Sequence, residues 1–173
     1  MSSIPSYHVG DQVVYPNHGV GTVEQIGERA EAGGGPFYLL RIHANNVRIF
    51  VPFQNASRVG LRPVSRAEET RRVLEFLRQP EAAASPDWKT RFRENAERMR
   101  SGSLLELAEV VKDLAVVHRA KPLSYRERKM FDHALELLVN ELGTAELITL
   151  PVATARLESA LAQAQLRLPA PEI

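Results

Sequence analysis

The sequence predicts an α+β protein, with a small antiparallel β domain in residues 1–64 and a compact all-helical domain in residues 65–173. Two patterns predict this arrangement. The first part alternates apolar and polar residues in short β-rich runs that are separated by turn residues. At Ser65 the apolar period changes from two residues to 3.6, the period of an amphipathic helix. The chain has no cysteine, so neither disulfides nor thiolate metal sites can support the fold.

The β domain is predicted from five apolar runs that are rich in valine, isoleucine and aromatic residues. Turn residues separate them, among them the Asn17-His18-Gly19 segment and the three glycines at 33–35. Strands this short, joined by tight turns within about 60 residues, are typical of a small, strongly bent antiparallel sheet or barrel. The predicted strands are 9–15, 20–26, 37–42, 47–52 and 59–64.

The helical domain is predicted from its helix start and stop signals. A serine opens four of the predicted helices, because its side chain can accept a hydrogen bond from a free N–H group of the first turn. Proline or glycine closes them, and a last helix follows Pro151 to about Leu166. The predicted starts are Ser65, Ser85, Ser103 and Ser124, and the predicted ends are Pro80, Gly102, Pro122 and Gly143.

Several classes of function have little support in the sequence. The five histidines lack the spacing of metal ligands, and the glycines at 33–35 are followed by neither a lysine nor a helix, as a phosphate-binding loop requires. No apolar run is long enough to span a membrane, and no secretory signal is visible. We therefore predict a cytoplasmic protein that is no enzyme and that holds neither a metal nor another cofactor.

Charge is distributed unevenly along the chain. Residues 65–131 carry 15 Lys and Arg against 11 Asp and Glu, whereas residues 132–173 carry 2 against 6. Local excess positive charge, more than the net charge of +1, favours binding to phosphates. Ordinary solvated helix faces with mixed charges would explain the same pattern.

The only tryptophan, Trp88, lies at a predicted helix start among Lys89, Arg91 and Arg93. Two interpretations are open. Trp88 could begin an apolar stripe that continues through Phe92, in which case it packs in the core. Alternatively, a ring in the first helical turn could project beyond the helical bundle and wedge into a nucleic acid.

A second basic helix start, at Arg126, Arg128 and Lys129, supports the nucleic-acid interpretation. Helix N-termini carry partial positive charge and free N–H groups, both of which attract phosphates. Two such starts could together clamp a nucleic-acid backbone. In the β domain, Arg41 and Arg48 lie beside apolar strand residues, and this indicates either a protein-docking surface or ordinary inward and outward alternation.

The run from Val9 to Gly21, VGDQVVYPNHGVG, resembles the opening of the CarD/CdnL family of bacterial transcription regulators. This domain is shared with the polymerase-interacting module of the transcription-repair coupling factor. Further similar motifs follow in the same order along nearly the whole chain: Val51-Pro52, Val59 to Arg62, Trp88 with Arg91 to Arg93, Ser101-Gly102, Ala108 to Leu114 and Leu123 to Met130. The acidic end of the chain resembles the short CdnL type.

The resemblance implies a fold, two partners and a mechanism. It implies that the first domain is a Tudor-like barrel that docks on the β1 lobe of the RNA polymerase β subunit. It implies that the helical domain binds promoter DNA at the upstream edge of the transcription bubble, where a tryptophan wedge stabilises the open complex. On this basis we expect a monomeric, nucleoid-associated regulator.

The same resemblance assigns site residues. The DNA contacts of the family fall on Trp88, Arg91, Arg93 and Arg128, with Lys129 adjacent, and we add Lys89 from the same basic helix start. The polymerase contacts of the family fall on Arg29 and Phe50, and we add Arg48, Val51 and Pro52 of the same strand as Phe50. Phe50 departs from the family pattern, because some members have an arginine there. Arg48 could replace that charge, or the contact could be apolar.

Two other classes of function remain open on sequence grounds. A protein–protein adaptor of the transcription machinery would use the basic helices to bind acidic partners and would never touch DNA. A small enzyme would need a deep polar pocket with perturbed titratable groups, for which the sequence has no motif.

Overall fold

The computed structural model describes residues 6–29, 34–81 and 86–170. The chain divides into two compact units, Met1–Val64 and Ser65–Ile173. The first unit is built from strands and the second from helices, as expected for an α+β protein. Within the described ranges, no helix is both long and apolar enough to cross a bilayer.

The five strands of the β unit are β1 (Gln12–Tyr15), β2 (Gly19–Arg29), β3 (Gly35–Ile42), β4 (Arg48–Pro52) and β5 (Arg62–Pro63). They form one antiparallel sheet with the strand order β4-β3-β2-β1-β5. The five predicted strands are confirmed, but a closed barrel is not, because no pairing of described residues joins the edge strands β4 and β5. A four-residue helix after β4, α1 (Phe53–Ala56), was not predicted.

Alternation along the strands gives the sheet one buried face. Val23, Tyr38 and Leu40 lie on this face, together with Val51 from β4. The ring of Tyr38 also stacks on Phe53 of α1, with 4.2 Å between the ring centroids. On the edge strand β4, Arg48 and Phe50 lie on the opposite side from Val51 and are exposed.

The helical unit contains α2 (Ala67–Arg78), α3 (Trp88–Ser101), α4 (Leu104–Ala120), α5 (Tyr125–Glu146) and α6 (Leu150–Gln163). Two of the predicted serine caps are confirmed. Ser103 accepts a hydrogen bond from the Glu106 N–H, and Ser124 accepts one from the Glu127 N–H. Gly102 ends α3 in the left-handed conformation, as predicted.

The other two predicted helix starts differ from the structure. Ser65 does not cap α2, which starts after Arg66; its hydroxyl instead donates to Glu141 of α5 at 3.1 Å. The cap of α3 is Asp87, whose side chain accepts a hydrogen bond from the Lys89 N–H. Ser85 lies outside the described residues.

The predicted stop at Gly143 is also wrong, because α5 continues to Glu146. Gly143 is buried, and a Cβ atom there would lie 3.2 Å from the Ile148 carbonyl oxygen. A side chain at this position would therefore crowd the Ile148 carbonyl oxygen, and Gly143 does not end the helix. The helix ends at Leu147, which adopts the left-handed conformation.

Helix α4 is the centre of the helical core, since α2, α3 and α5 all pack against it. Its Leu107, Val111 and Leu114 are buried with Phe131 and Leu138 of α5. The exposed basic residues Lys89, Arg93, Arg126 and Lys129 lie near the beginnings of α3 and α5.

Candidate functional site

Trp88 is the first residue of α3, and its side chain is 48% exposed. The preceding Asp87 holds the helix start, because its carboxylate accepts hydrogen bonds from the Thr90 hydroxyl at 2.5 Å and from the Lys89 N–H. These hydrogen bonds, that of Thr90 above all, lower the pKa of Asp87. The Asp87 cap therefore holds the first turn of α3 in place, and the indole of Trp88 is half-exposed on that turn.

The buried face of α3 consists of Arg91, Asn95 and Met99, four residues apart in each case. Trp88 lies on the same side of the helix as Asn95 and Met99, but it is in the first turn and is 48% exposed. The predicted apolar stripe is therefore wrong at its start, and Phe92 is only half-buried. This geometry removes the interpretation of Trp88 as a core residue.

Helix α5 begins in the same way, with an aromatic residue in the first position. Tyr125 is 71% exposed, and the Lys129 Nζ lies 4.7 Å from the centroid of its ring. Arg126 is exposed, and its guanidinium carbon lies 4.6 Å from the Phe92 ring centroid on α3. This cation–π contact joins the two helix starts.

A buried ion pair also joins them. The Arg91 Nη2 donates to the Glu127 Oε1 at 2.6 Å, and each side chain is only 5% exposed. Arg91 lies one turn after Trp88, and Glu127 lies two residues after Tyr125. The pair therefore links the segments that carry the two exposed aromatic rings.

The burial of Arg91 is at odds with the direct DNA contact that the family resemblance implied for it. A guanidinium that is paired with a carboxylate below the surface cannot reach a phosphate without breaking the pair. The structure instead gives Arg91 a supporting position beneath Trp88.

The remaining basic candidates differ in exposure. Lys89, Arg93 and Lys129 are exposed, and the Lys89 Nζ lies 6.0 Å from the Trp88 ring centroid. Arg128 is more enclosed, because it pairs with Asp132 at 3.0 Å and donates to the Ala170 carbonyl oxygen at 2.7 Å. We define the tip surface as Trp88, Lys89, Arg93, Tyr125, Arg126 and Lys129.

Further along α3, Arg98 contacts the bundle, whereas Arg100 is exposed. Arg98 pairs with Glu109 of α4 at 3.0 Å and donates to Asn95 at 2.7 Å. Asn95 in turn donates to Asp113 at 2.8 Å, and burial raises the pKa of Asp113. This network holds α3 on α4.

A groove of about 500 Å³ lies between the two helix starts. Apolar side chains from α3, from the α4–α5 connection and from α5 line it, together with the buried ion pair. The lining residues are Trp88, Arg91, Lys121, Pro122, Leu123, Ser124, Tyr125, Arg126 and Glu127.

The predicted polymerase contacts lie on and beside the edge strand β4. Arg48, Phe50 and Pro52 are exposed, whereas Val51 is 2% exposed and belongs to the core. The Val51 side chain therefore supports this surface from below. Phe50 is 46% exposed and meets Phe37 of β3 edge-to-face, with 5.2 Å between centroids.

Beside the apolar patch of Phe37, Phe50 and Pro52, three charged side chains form two ion pairs. Glu24 of β2 accepts from Arg41 at 2.8 Å and from Arg48 at 2.9 Å, and these contacts, that of Arg48 above all, lower the pKa of Glu24. Arg29 pairs with Gly35 through the backbone, but its side chain lies outside the described part of the chain. We define the β4 surface as Phe37, Arg48, Phe50 and Pro52.

Two family profiles match this chain. One describes the CarD-like/TRCF RID domain and matches residues 7–65; the other describes the CarD C-terminal domain and matches residues 72–158. YdeB of Bacillus subtilis (strain 168), a protein named as a transcription factor, is 31% identical over 144 residues, which cover 83% of this chain and 94% of YdeB. The chain belongs to the CarD family.

Membership of the CarD family confirms the resemblance found in the sequence and supports a role as a transcription factor. The RID domain indicates an interaction with the transcription machinery. Within the described ranges, no three His, Asp or Glu side chains are grouped as a metal site would require.

Sequence reasoning missed Tyr125 and Glu127 as parts of the site. The signal for Tyr125 was present, because Tyr125 follows a serine cap as Trp88 follows Asp87, so both rings occupy the first helical position. The pairing of Glu127 with Arg91 had no local signal, since 36 residues separate the two.

We expect Glu127→Ala to lower the free energy of unfolding of the CarD-family chain by about 3–5 kcal/mol, because it leaves Arg91 buried without this carboxylate. Replacing both residues, Arg91→Met with Glu127→Leu, is expected to recover most of that loss. Urea unfolding followed by circular dichroism measures both effects.

The matched control for this experiment is Glu97→Ala, which removes an exposed glutamate of α3 that pairs with Arg100. The control should change the free energy of unfolding by no more than about 1 kcal/mol. If Glu127→Ala behaves like the control, the buried pair does not hold the two helix starts together.

Proposed function

We propose that this CarD-family protein docks on the RNA polymerase β subunit through its β unit and stabilises the promoter open complex through its helical unit. The observation that carries the proposal is the exposure of Trp88 at the first position of α3, beside the cations of the tip surface. A half-exposed indole on a fixed helix start is available for a partner, whereas a core residue is not.

The tip surface suits an opened DNA fork. Lys89, Arg93 and Lys129 are exposed cations beside two helix N-termini, and both features favour phosphates. The flat ring of Trp88 can insert at a base step that is already opening, where unstacking costs least. Contacts to phosphates carry little sequence information, so binding should weaken with salt and depend little on promoter sequence.

The β4 surface supports the docking half of the proposal. Phe50 and Pro52 give an exposed apolar patch, and the edge strand β4 has backbone groups that a partner strand could pair with. Arg48 stays exposed although it pairs with Glu24. An apolar contact by Phe50, flanked by Arg48, thus replaces the arginine that some family members have.

Docking and DNA binding reinforce each other. Once the β unit is bound to polymerase, the helical unit meets the promoter at a high effective concentration, so a weak DNA contact is sufficient. Trp88 binds the opened fork and not the closed duplex. A ligand that binds one state better shifts the equilibrium towards that state by its difference in affinity, and here the favoured state is the open complex.

We expect Trp88→Ala to shorten the lifetime of the open complex about fivefold or more, because a stacked base contributes on the order of 1 kcal/mol or more. The lifetime is measured on a promoter with purified polymerase after addition of a competitor. Retention on polymerase and the helical circular dichroism signal should not change.

The control for Trp88→Ala is Leu105→Ala, which truncates an exposed apolar side chain on α4, outside the tip surface. It should leave the lifetime unchanged. An unchanged lifetime with Trp88→Ala, or a loss of helical structure in that variant, would remove Trp88 from the role of wedge.

We expect Phe50→Asp to reduce retention of the protein on the polymerase β subunit at least about tenfold, because it places a charge in the apolar patch of the β4 surface. Arg29→Glu should also weaken retention. Val9→Asp, which alters an exposed valine near β1, is the control. Equal retention of Phe50→Asp and the control would contradict docking through this surface.

A further inference from the structure

We propose that the groove between the starts of α3 and α5 is a binding pocket for one unpaired base of the opened DNA strand. This inference rests on the proposed function and deepens it, because it names the ligand of the groove beside Trp88. It also gives a role to Tyr125, which neither the wedge nor the docking surface uses.

The size and lining of the groove fit a planar, partly apolar ligand. Its volume of about 500 Å³ lies within the range of about 300–1,000 Å³ that is usual for small-molecule sites. Trp88 and Tyr125 contribute aromatic rings, and Pro122 and Leu123 contribute aliphatic surface. Aromatic rings bind bases of any sequence, because every base has a π face.

The charges around the groove identify a nucleic acid as the occupant. Lys121 and Arg126 belong to its lining, while Lys89 and Lys129 lie beside its two aromatic rings. The carboxylate of Glu127 faces the buried Arg91 and is neutralised by it. A ligand with an apolar ring and a negatively charged backbone matches this combination better than an apolar protein side chain does.

The pocket would accept only unpaired bases. In a duplex, each base is stacked on its neighbours and its pairing edge is occupied, so entry requires extrusion and the loss of stacking and pairing. A base that is already single-stranded enters without that cost. The hydroxyl of Ser124 accepts from the Glu127 N–H and keeps its own hydrogen, which it can donate to the edge of the base.

Tyr125 is the residue whose exposure the pocket explains. Tyr125 is more exposed than Trp88. The Lys129 Nζ lies over the Tyr125 ring, 4.7 Å from its centroid, and most of the side-chain surface of Tyr125 remains exposed. Trp88 with Lys89, and Tyr125 with Lys129, are thus two pairs of ring and cation at the two helix starts. Each pair combines a stacking surface for a base with a charge for a phosphate.

The test compares two forked DNA duplexes that differ at the first unpaired position. One carries 2-aminopurine, whose fluorescence falls on stacking, and the other carries an abasic site. At low salt the full-length protein should bind the first fork about five- to tenfold more tightly and quench its fluorescence. Tyr125→Ala should abolish this preference, Tyr125→Phe should keep it, and Leu147→Ala, at an exposed position between α5 and α6, should not change it.

Other outcomes separate the pocket from the proposed function. Equal, salt-dependent binding of both forks would overturn the pocket and leave DNA binding by the tip surface intact. Failure to bind either fork would overturn both. If Tyr125→Ala keeps the preference for the unpaired base but loses retention on polymerase, the groove binds a protein side chain and the pocket is overturned.

Discussion

The buried ion pair between Arg91 and Glu127 is the contact on which the arrangement of the tip surface depends. It joins the starts of two helices that otherwise meet mainly through α4, and each of its members lies within one turn of an exposed aromatic residue. A buried ion pair adds little stability compared with apolar residues of the same size, but it requires one specific geometry. That requirement fixes the spacing of Trp88 and Tyr125, as the cation–π contact of Arg126 with Phe92 also does.

In the proposed function, the two units of the protein recognise different partners. The β unit presents an exposed edge strand with an apolar patch, which suits a protein partner, while the helical unit presents cations and aromatic rings, which suit nucleic acid. Neither surface has to bind tightly alone, because binding of one raises the local concentration of the other. This division explains how a small and sequence-tolerant DNA surface could act at promoters, where competing DNA is in large excess.

Local signals in the sequence predicted much of the fold. The change of period at Ser65, the caps Ser103 and Ser124 and the stop at Gly102 each depend on neighbouring residues, so they could be identified without a structure. Contacts between distant residues could not. Ser65 donates to Glu141, a Cβ atom at Gly143 would crowd the Ile148 carbonyl oxygen, and Arg91 is buried in its ion pair with Glu127. The sequence therefore indicated most of the tip surface, whereas only the structure separated the exposed cations of the two helix starts from the buried Arg91.

The most direct test of a wedge at the promoter fork is crosslinking from position 88 within the complete complex. A photoreactive aromatic residue replaces Trp88, and the full-length protein is irradiated together with polymerase and promoter DNA. We expect crosslinks to DNA at the upstream edge of the bubble in the open complex, and none to that site while the duplex is closed. Crosslinks to polymerase alone would contradict the wedge and would show that the protein acts as an adaptor without touching DNA.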